Sequence, residues 1–449
     1  MKNRITMKKK IFTLLLFLGT GLVLKAQTPE FWTLEQCLEH AMEQNLQLKI
    51  SRNTHQKSVY DHRQSAWEMA PSVSGFANSN LNFQRSTNQD YQIETGTSYN
   101  VNYGIGASLN LFAGFTAHNN MAARRFFKLA INEATKLSEY LLELEITTMY
   151  SNVLYQKTLV DVVREQLELS ILEAERIAAT IDAGQLEPVA QNEINAVVSG
   201  DRLVLNRAEN NYKLLKLQLA HALEITDVKN FEISDAYFES AIPRKVDTDI
   251  DSIYFITSLI YPAVQQREYE MEYYGKMLQV SKGTYSPTLS MNGGYTSGFY
   301  STDKQESGKE TSFSTQFDKY RNPYLGLSLN IPLLLGRQRD FQTKKSRIDL
   351  ENAMISLEIQ KKQLLREIEE AVFKLDAFFM EYKSAIDNLV FTEKSYETNL
   401  EKFRLGLINT TDFMTAQNQY ALAKSDVLLA RYSWLVQKRT LEVFYVLNK

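Results

Sequence analysis

The sequence predicts a mainly α-helical chain that also carries four membrane β-strands and is internally duplicated. Three observations predict this. Glycine and proline are scarce, 18 and 8 in 449 residues, so little interrupts long helices. Four segments alternate between apolar and small polar residues, the period of a strand with two unlike faces. Motifs of the first half also return, in the same order, about 220 residues later.

The N-terminus reads as a secretory leader over 1–26. Lys2, Arg4 and Lys8 to Lys10 precede the apolar run "IFTLLLFLGTGLVL", and cleavage is expected after Ala26. That run is shorter than the ~20 residues a membrane-spanning helix needs, and no later run approaches that length. Net charge is -3, from 50 basic and 53 acidic residues, which gives no electrostatic case for nucleic acid. Cys37 is the single cysteine, so no intramolecular disulfide can form.

The repeat divides the mature chain, 27–449, at about residue 245: one unit over 27–245 and a second over 246–449. "GASLNL" (106–111) answers "GLSLNI" (326–331), and "APSVSGF" (70–76) answers "SPTLSMN" (286–292). "AGQLEPVAQNEINAV" (183–197) answers "LGLINTTDFMTAQNQ" (405–419). Each unit reads helix, strand, loop, strand, long helix, tip, helix.

The strands are expected at 72–84, 99–112, 288–299 and 323–332. In "YNVNYGIGASLNL" the odd positions carry Tyr99, Val101, Tyr103, Ile105, Leu109 and Leu111, against Asn, Gly and Ser at the even ones. Strands this long exceed the usual five or six residues and satisfy the ~9–11 of a tilted membrane strand. Tyr99, Tyr103, Tyr295 and Tyr324, near strand ends, suit an interfacial aromatic girdle. The same alternation also fits a half-buried soluble sheet. Polar loops at 86–98 and 300–321 join the strands within each half.

Four strands cannot close a barrel, and an open edge in lipid costs several kcal/mol per unsatisfied backbone group. The barrel is therefore expected to be shared between chains, twelve strands in a trimer leaving a wet lumen against the polar faces.

No glycine or proline occurs from 337 to 404, about 100 Å of helix. Leu350, Met354, Leu357, Leu364, Ile368, Ala371, Leu375, Phe378, Tyr382, Ala385 and Leu389 keep a three-four spacing that only Lys361 interrupts. Leu365, Val372, Phe379 and Ile386 form a second seam, so partners are needed on two sides, as in a helical barrel wall. A matching helix is expected over 115–183, with returning helices over 189–224 and 412–446. The tips between them, "DAGQLEP" (182–188) and "RLGLINTTD" (404–412), place Gly184 and Gly406 as left-handed caps. Asn409, Thr410 and Asp412 suit the start of the second returning helix, and Asp412 also reads simply as a capping residue.

The five histidines show no ligand spacing with Cys, Asp or Glu, and no phosphate-cradling loop or nucleophile elbow occurs. Enzymatic function, cofactors and metal are therefore not expected.

Together "WTLEQCLEHAMEQNLQLK", "APSVSGF", "GASLNLFAGF", "LGLSLNIPLLLG" and "GLINTTDFMTAQNQY" resemble the outer-membrane efflux channels typified by TolC, over essentially the whole mature chain. The resemblance implies a homotrimer with a twelve-stranded barrel in outer-membrane lipid and a helical tunnel in the periplasm. It implies a passive exit duct for efflux or type I secretion, working with a periplasmic adaptor (membrane fusion) protein and an inner-membrane pump of RND or ABC type. By position it places Asp412 at the tip entrance and Thr415 where a second aspartate can occur. Ile408 stands where an arginine can lock the closed state, and Ala190 replaces an aspartate, leaving Arg404 as a nearby substitute for the lock. Gly184, Gln185, Leu186, Gly406, Leu407, Ile408 and Asn409 become the adaptor-contact tips. The alternative is a periplasmic helical scaffold or adaptor with a soluble β domain.

Overall fold

The computed structural model describes residues 31–87, 93–234, 242–246, 248–302, 311–333 and 337–446; the expected leader lies outside them. The elements are α1 (Leu34–Gln44), α2 (Leu46–Trp67), β1 (Ser72–Thr87), β2 (Ile93–Ala113), α3 (Thr116–Asp182) and α4 (Val189–Ala222). They continue with α5 (Ile250–Ile260), α6 (Pro262–Gly283), β3 (Thr288–Tyr300), α7 (Phe313–Lys319), β4 (Asn322–Asn330), α8 (Gln338–Arg404) and α9 (Thr410–Val446). Helices α3 and α8 each run 67 residues without a break. Among the described residues no helix is apolar enough to cross a membrane.

Starts and stops follow local chemistry. Thr33 and Gln36 form a reciprocal capping box at α1: the Gln36 amide donates to Thr33 Oγ1 at 3.3 Å, and the Thr33 amide donates to Gln36 Oε1 at 2.9 Å. Asn45 caps α2 by accepting from the Leu48 amide at 2.9 Å. Pro262 occupies the first position of α6, where its missing N–H costs nothing.

The chain forms two compact units. The first comprises the described parts of 1–43, 146–242 and 389–432. In it Trp32 and Ile233 form a parallel bridge, with the Trp32 amide donating to the Glu232 carbonyl and the Ser234 amide to the Trp32 carbonyl. The buried Tyr150 hydroxyl donates to the same Trp32 carbonyl at 2.9 Å. Cys37 is fully buried beside this knot.

The second unit comprises 44–145, 243–388 and the described part of 433–449, and holds one antiparallel sheet in the order β1-β2-β3-β4. One row runs straight across it: Ser72 opposite Ser108, Ser108 opposite Asn292, Asn292 opposite Gly326. Every pair in this row matches even with even, so the odd positions of all four strands share one face up to the β2–β3 register shift between Asn110 and Phe112, past which Phe112 stands opposite Leu289. That face is bare apolar surface along much of its length: Val73 is 68% exposed, Leu325 77% and Leu327 69%. Both β1 and β4 have an outer edge with no strand on it among the described residues. Lys361, which interrupts the apolar spacing of α8, pairs with Glu268 of α6 at 3.1 Å.

Two readings of the strands change. Tyr324 stands opposite Gly294 and therefore on the even face, not with Tyr99, Tyr103 and Tyr295. A Cβ on Gly294 would lie 2.9 Å from its ring, so the missing side chain is what lets the ring lie down. The second polar loop, for its part, contains α7. Its Phe313 and Phe317 stack on Tyr103 with centroids 5.7 and 6.0 Å away, so the odd face is covered there by the chain's own helix.

Candidate functional site

The residues singled out at the two tips all fall in the first unit. Each long helix ends in the same backbone device. Gly184 (φ 73°) and Gly406 (φ 72°) adopt the left-handed conformation at the second residue past each helix. The Gly184 amide donates to Ile181 and the Gln185 amide to Thr180; the Gly406 amide donates to Phe403 and the Leu407 amide to Lys402. These crossed bonds satisfy the last carbonyls of α3 and α8 and turn the chain off each helix axis.

The returning helices begin differently. Asn409 caps α9, its Oδ1 accepting from the Asp412 amide at 2.8 Å, whereas Pro188 precedes α4 with no side-chain cap. This corrects the reading of Asp412 as the cap. Asp412 sits in the first turn, exposed, where the helix N-terminus favours its negative charge. Thr415 lies on the same exposed side and donates back to the Thr411 carbonyl at 2.9 Å. Arg404 pairs with Glu401 on its own helix at 3.1 Å.

Beneath the turns lies an apolar plug of Ile177, Ile194, Val197, Tyr396, Phe403 and Phe413, drawn from α3, α4, α8 and α9. The Phe403 and Phe413 rings stack, and Arg176 lays its guanidinium over Phe403 at 5.1 Å while Glu173 holds it at 2.7 Å. Tyr396 carries the ring series on to Tyr420, stacked at 5.2 Å. Lys424 covers Tyr420 at 4.7 Å and reaches Glu165 at 2.9 Å. Burial alone would lower the Lys424 pKa, but the Glu165 carboxylate outweighs it and holds the ammonium above its usual value. Farther along, Ser170 donates to Asp201 and accepts from Gln417 Nε2 at 3.0 Å, so one buried hydroxyl ties three helices.

A groove of about 470 Å³ opens between the two tips. Gln185, Leu186, Arg404, Gly406, Ile408 and Asn409 line it, as does Ala190. Gly184, Leu407, Asp412 and Thr415 do not, so the residues singled out divide between the groove wall and the exposed turns. Glu187 of the first tip also lines it, as do Arg176, Glu193 and Phe403, which the sequence did not single out because only folding brings their helices together. Its lining mixes apolar side chains, among them Ile177, Phe403 and Ile408, with the charged Arg176, Glu187, Glu193 and Arg404.

Residues 262–444 match the outer membrane efflux protein family. The chain is 24% identical over 348 residues to the outer membrane efflux protein BepC of Brucella suis biovar 1 (strain 1330), covering 74% of this chain and 71% of BepC. Its fold is similar to solved structures: CusC superposes with a TM-score of 0.78 at 14% identity, covering 92% of this chain and 91% of CusC. The Campylobacter jejuni CmeC outer membrane channel gives 0.76 at 14% identity, covering 90% of this chain and 83% of CmeC.

Proposed function

We propose that this chain is an outer membrane efflux protein, one third of an exit duct that passively conducts substrates handed to it by an inner-membrane pump, of RND or ABC type, through a periplasmic adaptor. One observation carries the reading: a four-stranded sheet with one bare apolar face and two unpaired edges. In hydrocarbon each unpaired N–H or C=O costs several kcal/mol, so β1 of one copy must take the β4 edge of another until a ring closes. Three copies supply twelve strands, wide enough for a lumen lined by the small even positions. The tips then form the periplasmic entrance, with Asp412 and Thr415 at its rim and the groove between the tips receiving adaptor hairpins.

Fractionation tests this. A heat-resistant trimer recovered from purified outer membranes is expected. Recovery as a soluble periplasmic protein would overturn the duct and favour a scaffold with a soluble β domain.

A further inference from the structure

We infer that α7 of each copy seals the upper part of the β1 edge of the next copy, standing in for the half of β4 that is missing there. The inference rests on the threefold ring proposed above and deepens it.

The starting point is a mismatch of lengths. β1 has 16 residues and β4 has 9, yet these are the two edges that must pair between copies. Symmetry and tilt limit how they pair. With a rise of about 3.3 Å and a strand spacing of about 4.8 Å, tilts of about 35–45° require a total stagger of roughly 12–18 residues over twelve strands. Threefold symmetry divides that into equal steps, and a step must be even to keep the apolar face outside. Each copy therefore contributes a step of about four or six residues. The row through Ser72 ends on Gly326, so Gly326 meets Phe76 or Asn78 of the next copy. A step the other way would set Gly326 below the start of β1. Either register places Asn322, the first residue of β4, opposite Asn80 or Asn82. From there to Thr87, β1 has no strand to pair with.

The same gap shows on the other side. Thr296 is the last β3 residue opposite β4, and β3 continues to Tyr300. Above Thr296, β3 and the next copy's β1 stand two strand spacings apart, about 9–10 Å, which is close to the diameter of one helix. α7 occupies that level. Its Gln316 acts as a replacement strand: Oε1 accepts from the Tyr300 amide at 2.8 Å and Nε2 donates to the Tyr300 carbonyl at 3.1 Å. Ser297 Oγ donates to the Phe317 carbonyl at 2.9 Å. One flank of α7 thus pairs with β3. Ser314 and Asp318 project from the opposite flank by helical spacing, toward the gap. Apolar surface waits on both sides of the seam, with Phe313 56% exposed and Phe83 79% exposed.

Cysteine pairs in a Cys37→Ala background test this in intact outer membranes. Leu327→Cys with Gly75→Cys, or with Ala77→Cys, reports the lower β4–β1 seam in the two registers. Ser314→Cys or Asp318→Cys with Phe83→Cys reports the upper seam, and each single variant must first be recovered as a heat-resistant trimer. We expect one lower pair and at least one upper pair to give a reducible ladder of covalent dimer and trimer on oxidation. A ladder from a lower pair with none from either upper pair would overturn the role of α7 and leave the ring standing. No ladder from any pair would overturn the ring and the inference together.

Discussion

Phe403 and Phe413 lie face to face, ring centroids 4.6 Å apart and planes 2° from parallel, with the whole second tip folded between them in sequence. Phe413 is fully buried, so the stack fastens the end of α8 to the start of α9. Phe413→Ala should cost about 3–5 kcal/mol locally. Hydrogen exchange would show this as lost amide protection across 396–420, with Phe413→Leu keeping most of it.

Gly184 and Gly406 have open space around the position of a Cβ, yet both sit at positive φ. Replacing either by alanine therefore adds backbone strain without any clash. Each change should cost about 1–2 kcal/mol, and the two should add, because each turn satisfies only its own helix. Thermal unfolding of the single and double variants checks this.

Asp412 is exposed and bonds the cap only through its backbone amide, so its carboxylate is free to act on ions. In planar bilayers Asp412→Asn should lose cation preference while the trimer stays intact. Unchanged selectivity would remove Asp412 from the entrance. Arg404→Ala should leave conductance within about twofold, since its partner Glu401 lies on the same helix rather than across the entrance.

Burial, with Glu35 nearby, pushes the Cys37 thiol from 9.0 up to about 12. The folded state then holds a proton that the unfolded chain releases, so stability is full below pH ~9 and falls as pH rises toward ~12, by about 1.4 kcal/mol per pH unit for this group. Burial also raises the Tyr140 and Tyr261 pKa values and steepens the alkaline loss. Denaturant titrations at a series of alkaline pH values should show a shallower fall for Cys37→Ala. A disulfide reagent should leave Cys37 unmodified until the protein unfolds.

Period and punctuation made much of the architecture legible. The even–odd alternation in 99–112 and the unbroken run from 337 to 404 are local properties; the helix survives folding whole and the alternation as far as Asn110, where a register shift against β3 breaks it. The glycines at 184 and 406 mark the turns because left-handed backbone selects that residue. What stayed hidden was pairwise. Tyr324 lies near a strand end like the other tyrosines, but only the register with β3 reveals that it rests on Gly294. Arg176 looks like one more charge on a solvated helix until Phe403 arrives from α8. α7 lay within a stretch whose Ser, Thr and Asp read as loop, and it was the sheet's unfinished edge that gave the helix its place.

The two unpaired edges also set how damage spreads among copies. A chain with a proline at a hydrogen-bonding position of β1 could still offer an intact β4, so it would enter rings that it cannot close. If half of all copies were of this kind, random assembly would leave only about one ring in eight built wholly from sound copies. A lesion in a single allele would therefore act far beyond its own share of the protein, while a chain unable to fold at all would merely halve the supply.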